Sequence, residues 1–75
     1  MINIEIRYFA TLRRNGLKKE VLSFEDGISV SKMLSKVLID EKDVAILLVN
    51  GIKVSFDKVL KDGDIVSLFP PVGGG

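Results

Sequence analysis

Apolar and polar residues alternate at the start of the chain. Apolar residues occupy the even positions of segment 2–8, and polar residues occupy the odd positions between them. A period of two predicts a β-strand with one buried face. A short helical turn is predicted over 9–14, closed by Asn15-Gly16, and a second strand over 19–24. With a Glu-Asp-Gly turn at 25–27, the chain is expected to open with a hairpin and then turn again.

A one-sided apolar stripe follows Ser29. Positions 30, 33, 34, 37 and 38 are apolar, at the i, i+3, i+4 spacing of an amphipathic helix, and serines and lysines occupy the opposite side. The Ser29 hydroxyl can accept a hydrogen bond from a free amide of the first turn. The pattern therefore predicts one helix, capped by Ser29 and ending at about Ile39.

The second half of the chain contains apolar runs separated by turn residues. An apolar run over 44–49 leads into Asn50-Gly51, then into a short strand over 52–54. Asn-Gly between apolar runs predicts a type I′ hairpin, whose two central residues both need positive φ. After a Lys-Asp-Gly-Asp turn at 61–64, a last strand is predicted over 65–69.

The predicted order is strand, strand, helix, strand, short strand, strand. A single helix packed on a mixed sheet of four to five strands is an α+β arrangement, the β-grasp or ubiquitin-like fold. The opening hairpin and the presence of only one long helix favour it over a ferredoxin-like fold. We predict a β-grasp domain over 1–69 and an extended Pro-Pro-Val-Gly-Gly-Gly tail over 70–75.

One helix covers only one face of a sheet, yet the run over 44–49 is apolar on both sides. Phe69 and Leu68 also point to opposite faces, as neighbours in a strand do. Central strands are often apolar on both faces, and we expect plain burial of Ile46 and Leu48. The alternative is a partly uncovered apolar face beside the tail, which would mark a protein interface.

Composition narrows the classes of function. The chain has 75 residues, 47% of them apolar, and a net charge of +1, which does not indicate binding to nucleic acid or a membrane. It contains no Cys and no His, so we expect no disulfide, thiol nucleophile, imidazole base or ordinary zinc site. Asp62 and Asp64 flank Gly63 and are interpreted as turn formers, not as a catalytic carboxylate pair. Without a signal peptide or an apolar run of membrane-spanning length, a cytoplasmic protein is expected.

The glycine-rich end of the chain is the best candidate for chemistry. Pro70 and Pro71 fix φ near −65° and predict an extended stem, while three glycines leave the last carboxylate uncrowded. The segment 69–75 would span roughly 20 Å at about 3.3 Å per residue, enough to enter a buried site. The alternative is a functionally silent end, as chain termini often are.

A carboxylate at Gly75 would need activation before it could accept a nucleophile. With a pKa of about 3.5, an α-carboxylate is an anion at neutral pH and a poor electrophile. ATP can convert it into an acyl-adenylate; sulfur would then give a thiocarboxylate, and a lysine amine an isopeptide bond. In either reaction the catalytic groups belong to a partner enzyme.

Four short segments resemble one family. They are Tyr-Phe-Ala-Thr-Leu-Arg at 8–13, Val-Asn-Gly at 49–51, Leu-Lys-Asp-Gly-Asp at 60–64 and Phe-Pro-Pro-Val at 69–72, just before the glycines. In this order the chain resembles the MoaD/ThiS family of ubiquitin-like sulfur carriers. The Pro-Pro pair and the Phe-Ala-x-Leu-Arg segment are most similar to its molybdopterin branch, MoaD.

The resemblance implies a carrier that is not an enzyme by itself. A MoeB/ThiF-like adenylating enzyme would use ATP and Mg²⁺ to activate Gly75, and the carrier itself would bind no cofactor or metal. The thiocarboxylate would then donate sulfur to precursor Z (cyclic pyranopterin monophosphate) inside a MoaE-like large subunit, in a heterotetramer. The resemblance places the tail in the partner's site and two aromatic residues at the docking surface: Pro70, Pro71, Val72, Gly73 and Gly74 in the tail, with Phe69 and Phe9.

The glycine-rich end of the chain is compatible with several functions. Val-Gly-Gly-Gly is also a ThiS-like ending, which would indicate thiamine biosynthesis, although that branch generally lacks the Pro-Pro pair. The same tip would suit sulfur transfer to cysteine or tRNA, or a ubiquitin-like modifier joined to lysines through Gly75. A further alternative is a β-grasp binding module whose glycine-rich tail has no function. In an organism that uses tungsten, the molybdopterin chemistry would serve a tungsten cofactor.

Overall fold

The computed structural model describes residues 1–12 and 16–71. Three of the predicted strands have the predicted bounds. Of the helical turn predicted over 9–14, residues 10–12 form a short 3₁₀ turn, and residues 13–15 lie outside the described residues. The elements are β1 (Ile2–Tyr8), a 3₁₀ turn (Ala10–Leu12), β2 (Lys19–Phe24), α1 (Val30–Lys36), a second 3₁₀ turn (Glu41–Asp43), β3 (Ile46–Val49), β4 (Ile52–Lys53) and β5 (Ile65–Phe69).

The five strands form one mixed sheet in the order β2-β1-β5-β3-β4. β1 and β2 are antiparallel, which confirms the opening hairpin. β5 lies between β1 and β3, parallel to the first and antiparallel to the second. The end of the described chain therefore continues from a strand in the middle of the sheet.

The core lies between α1 and one face of the sheet. The alternation of β1 is confirmed, because Ile4, Ile6 and Tyr8 are buried there. The buried apolar residues are Ile4, Ile6, Tyr8, Phe24, Ile28, Val30, Met33, Leu34, Val37, Val44, Leu47, Val49, Leu60, Val66 and Leu68.

The start of α1 confirms Ser29 as the N-cap. Its side-chain oxygen accepts from the amide of Lys32 at 3.2 Å. The first two helical amides, of Val30 and Ser31, donate to the carbonyls of Lys58 and Phe56 at 2.9 and 2.8 Å. The amides that a helix start leaves unpaired are thus satisfied by the cap and by segment 55–60. These hydrogen bonds attach the first turn of α1 to segment 55–60.

The helix ends at Lys36, so the predicted end at about Ile39 was wrong. Leu38 adopts φ 61°, in the left-handed region. The amides of Ile39 and Leu38 donate back to the carbonyls of Leu34 and Ser35 at 3.0 and 3.3 Å, which is the Schellman pattern. Glycine is the usual residue at this position. Because it is a leucine here, the sequence contains no signal for the end of the helix. Ile39 packs against the core, while Leu38 is exposed.

The central hairpin is confirmed, with a shorter leading strand than expected. Asn50 and Gly51 have φ values of 54° and 82°, as a type I′ turn requires. β3 begins at Ile46 and not at Val44, because Val44 is still the C-cap of the second 3₁₀ turn. The register places Pro71 opposite Val44, and Pro71 has no amide to extend the ladder.

Asp62 and Asp64 belong to the turn that precedes β5. Asp62 accepts from the backbone amide of Asn3 at 2.8 Å, and Asp64 accepts from the amide of Lys61 at 2.8 Å. Asp64 also accepts from the Asn50 side chain at 2.9 Å. These contacts agree with the interpretation of both carboxylates as turn formers.

Replacing Leu38 with glycine is expected to stabilise the protein by roughly 0.5–1 kcal/mol, because glycine adopts positive φ without the penalty paid by other residues. Urea unfolding measures the change. Lys36→Gly is the control, and there the same residue should lower the free energy of unfolding by about 1 kcal/mol. A loss at both positions would show that the Leu38 side chain stabilises the fold despite its exposure.

Candidate functional site

One face of the sheet points away from α1, and we call it the open face. Ile46 and Phe69 are direct partners across β3 and β5, and both belong to this face. Ile46 is 45% exposed, so the expectation of burial was wrong for this residue. Leu48 is half-buried. The reason is geometric, since the single helix packs on the other side of the sheet, where Leu47 and Val49 are buried.

Two aromatic rings stack at the edge of the open face. The rings of Phe9 and Phe69 have centroids 4.2 Å apart and planes 11° from parallel. The Phe9 amide donates to the Leu68 carbonyl at 3.1 Å, which extends the pairing of β1 with β5 by one residue. Because the two strands are parallel, their ends lie at the same edge of the sheet, and this brings the rings together.

The chain turns sharply after Phe9. Ala10 adopts φ 52°, a conformation that costs an L-residue roughly 1–2 kcal/mol. The Leu12 amide then donates to the Phe9 carbonyl at 3.1 Å and closes the 3₁₀ turn. This turn leaves Ala10 and Thr11 exposed beside the aromatic pair.

These residues form an apolar groove of 430 Å³ at the base of the tail. Its lining residues are Phe9, Ala10, Thr11, Ile46, Phe69, Pro70 and Pro71. Among the described residues that line the groove, none has an ionisable side chain, and the Thr11 hydroxyl is the one polar side-chain group. Its chemistry is that of a binding surface.

The structure brings together four of the residues singled out from the sequence: Phe9, Phe69, Pro70 and Pro71. The other predicted tail residues, over 72–75, lie outside the described residues. Three groove residues were missed as site residues: Ala10, Thr11 and Ile46. The indication for Ile46 was the run over 44–49 that is apolar on both sides. Ala10 and Thr11 belong to the segment 8–13 that resembles the family, but that segment did not mark them as site residues.

The base of the tail is held on both sides. The Ala45 amide donates to the Phe69 carbonyl at 2.7 Å, and the Phe9 amide holds the preceding carbonyl on the opposite side. Pro70 is half-buried, Pro71 is exposed, and neither has an amide hydrogen to donate. Regular pairing therefore ends at Phe69, and the division into 1–69 and 70–75 stays a prediction.

Within residues 1–12 and 16–71, no three acidic side chains gather closely enough to hold a metal ion. In the same part of the chain, no helix is long and apolar enough to cross a membrane.

The ThiS family model matches residues 6–75, nearly the whole sequence. The chain belongs to the ThiS family. These are ubiquitin-like sulfur carriers of the MoaD/ThiS type, so the family expected from the sequence is confirmed. No protein of curated function matches this ThiS-family chain in sequence.

Solved structures confirm the β-grasp fold. A protein of Pyrococcus furiosus described as molybdopterin converting factor subunit 1 is 30% identical, with a TM-score of 0.78 over 96% of this chain and 100% of that one. Small archaeal modifier protein 1 of Haloferax volcanii is 20% identical, with a TM-score of 0.80 over 96% of this chain and 100% of that one. A chain in the complex of subunits 1 and 2 of the Helicobacter pylori molybdopterin-converting factor is 22% identical, with a TM-score of 0.69 over 99% of this chain and 100% of that one.

The stacked pair should contribute to stability as a coupled unit. In a double-mutant cycle of Phe9→Ala and Phe69→Ala, we expect a coupling energy of about 0.5–1.5 kcal/mol, measured by urea unfolding. A cycle of Phe9→Ala with Val21→Ala, on a different strand, is the control and should couple by less than about 0.5 kcal/mol. Equal coupling in both cycles would contradict a direct contribution from the stack.

Proposed function

We propose that this chain is the sulfur-carrying small subunit of a molybdopterin synthase, acting in molybdenum or tungsten cofactor biosynthesis. The observation that carries the proposal is the apolar groove at the base of the tail, formed by Phe9, Ile46 and Phe69 with the two prolines. A surface of this kind, next to a segment that ends in three glycines, suits a protein that docks beside an active site and extends its end into it.

The groove has the properties of a protein-binding surface. Ile46 is exposed and the two aromatic rings are half-buried, so apolar area stays accessible, and interface centres are enriched in such residues. Because Phe69 is the last residue of β5, an enzyme that binds the groove also fixes where the tail begins. Docking and delivery of the tail are then one event.

The chemistry takes place at Gly75. A carboxylate oxygen attacks the α-phosphorus of ATP, pyrophosphate leaves, and an acyl-adenylate forms in a MoeB/ThiF-like enzyme that also binds Mg²⁺. Hydrosulfide then attacks the carbonyl carbon and AMP leaves, so that one carboxylate oxygen is replaced by sulfur. The carrier contributes the substrate atom, and the groove supplies the positioning.

The molybdopterin assignment rests on the stem of the tail and on one relative. The Pro-Pro pair lines the groove, and the Pyrococcus furiosus protein with 30% identity is described as subunit 1 of a molybdopterin converting factor. The Helicobacter pylori structure is a complex of subunits 1 and 2, which supports a large-subunit partner of the MoaE type. A heterotetramer of two carriers and two large subunits is the assembly we propose.

Intact-mass spectrometry tests the carrier chemistry. After incubation with the adenylating enzyme of the same organism, ATP, Mg²⁺ and sulfide, we expect the mass gain of one oxygen replaced by sulfur. Deletion of Gly75 should abolish this gain, because it shortens the reach of the tail by about 3.3 Å. The deletion should leave the free energy of unfolding within about 0.5 kcal/mol, since the buried residues of the described chain all precede Phe69.

The outcomes distinguish the candidate functions. Transfer of the sulfur to precursor Z when a MoaE-like subunit is added would support the molybdopterin branch, and loading without transfer would favour another sulfur pathway. Isopeptide adducts on lysines in place of loading would identify a modifier. A wild-type chain that gains no mass would contradict the proposal.

A charge in the groove should weaken partner binding without unfolding the chain. Ile46→Glu is expected to cost at least about 2 kcal/mol of binding, or roughly 30-fold in Kd, for the adenylating enzyme and the large subunit. Isothermal titration calorimetry measures both affinities. Val59→Glu is the matched control, since Val59 is also an exposed apolar residue, but it lies in segment 55–60 and does not line the groove. Similar losses for both variants would show that the groove is not the docking site.

A further inference from the structure

A second depression of 310 Å³ adjoins the groove. Its lining residues are Arg7, Tyr8, Phe9, Lys18 and Lys19, and it shares Phe9 with the groove. We call Arg7, Lys18 and Lys19 the basic rim. The proposed docking function does not account for this cluster of cations.

The sheet register places the basic rim beside the aromatic pair. Arg7 is the direct partner of Lys19 across β1 and β2, and it precedes Phe9 by two residues, on the same face. The Tyr8 amide donates to the Lys18 carbonyl at 2.7 Å, which holds Lys18 next to the start of the 3₁₀ turn. The rim is therefore continuous with the wall of the groove.

Two of the three rim charges are uncompensated. Arg7 Nε donates to Glu5 Oε2 at 2.6 Å, which neutralises that guanidinium. Glu20, the neighbour of Lys19, accepts from the Tyr8 hydroxyl at 2.5 Å. Lys18 and Lys19 are exposed and form no ion pair with any residue in 1–12 or 16–71.

We propose that the basic rim binds an acidic patch on the partner protein whose apolar residues fill the groove. This inference rests on the proposed function for the identity of that partner. The complementary surface must be apolar opposite Ile46 and Phe69 and carry carboxylates opposite Lys18 and Lys19. Such a mixed surface belongs to a protein; the apolar groove and a net charge of +1 disfavour RNA.

Exposed charges at the edge of an interface act mainly on the rate of association. They steer the encounter of the two proteins and are screened by salt, while buried apolar contacts control dissociation. The rim should therefore orient the carrier before the apolar contacts between the groove and its partner form.

The test compares two double variants with equal net charge. Lys18→Glu/Lys19→Glu reverses the rim. Lys58→Glu/Lys61→Glu makes the same change in a separate depression beside the Asn50-Gly51 hairpin. Stopped-flow measurements give the association rate constant with the adenylating enzyme and with the MoaE-like subunit of the same organism, at low and high NaCl. Thermal unfolding checks that both variants are folded, and Lys18→Gln/Lys19→Gln serves in place of the reversal if that variant is unfolded.

For the rim reversal we expect association with at least one of the two partners to slow by about tenfold at low salt, with the difference shrinking as salt is added. The control should change the rate by less than about twofold, and dissociation should change little in either variant.

Each contrary outcome overturns the inference. Equal slowing in both variants would mean that net charge acts without a local patch, and unchanged rates would mean that the rim contacts nothing. Bulk tRNA bound by the wild type and not by the rim variant would assign the rim to RNA. If Ile46→Glu abolishes binding while the rim reversal has no effect, the rim inference fails and the proposed docking stands. A wild-type chain that binds neither enzyme refutes both.

Discussion

The pairing of β5 on both of its edges is the constraint on which the rest of this structure depends. β5 is parallel to β1 and antiparallel to β3, so its backbone is held from Ile65 to Phe69. Its alternate residues Val66 and Leu68 enter the core under the helix, while Phe69 faces the opposite side. The same strand thus stabilises the fold and fixes the point, Phe69, at which regular pairing ends. A tail that continued from an edge strand would start from a less restrained position.

A single helix divides the sheet into a face for stability and a face for recognition. The caps of α1 and segment 55–60 satisfy its first amides, and its apolar stripe covers the face that carries the core. The open face keeps Ile46 and the stacked aromatic pair accessible. Because different side chains serve the two faces, an exposed groove residue such as Ile46 can be changed without altering the core. In a chain of 75 residues with one core, this separation leaves a large share of the surface for binding.

The described lining of the groove is aromatic and aliphatic apart from Thr11, which suits contact with a partner protein. A carrier presents an atom to an enzyme that supplies the catalysis, so its own surface needs shape and apolar area. The proposed basic rim adds charge at the edge of that surface, where it can guide the encounter without the cost of burying charges. The β-grasp fold is shared with small archaeal modifier protein 1, so the fold alone does not decide between the candidate reactions.

The sequence by itself determined the features that depend on neighbouring residues. The period of two in β1, the Ser29 cap and the Asn50-Gly51 turn are local, and the β-grasp fold followed from the order of such elements. The family followed from four short segments at 8–13, 49–51, 60–64 and 69–72. Tertiary structure decided the features that depend on distant partners. The helix stops at Lys36 because packing of Ile39 holds Leu38 in a conformation that its sequence does not favour. Ile46 is exposed because α1 packs on the opposite face of the sheet. The groove forms on the open face because parallel pairing brings the carboxyl ends of β1 and β5 together.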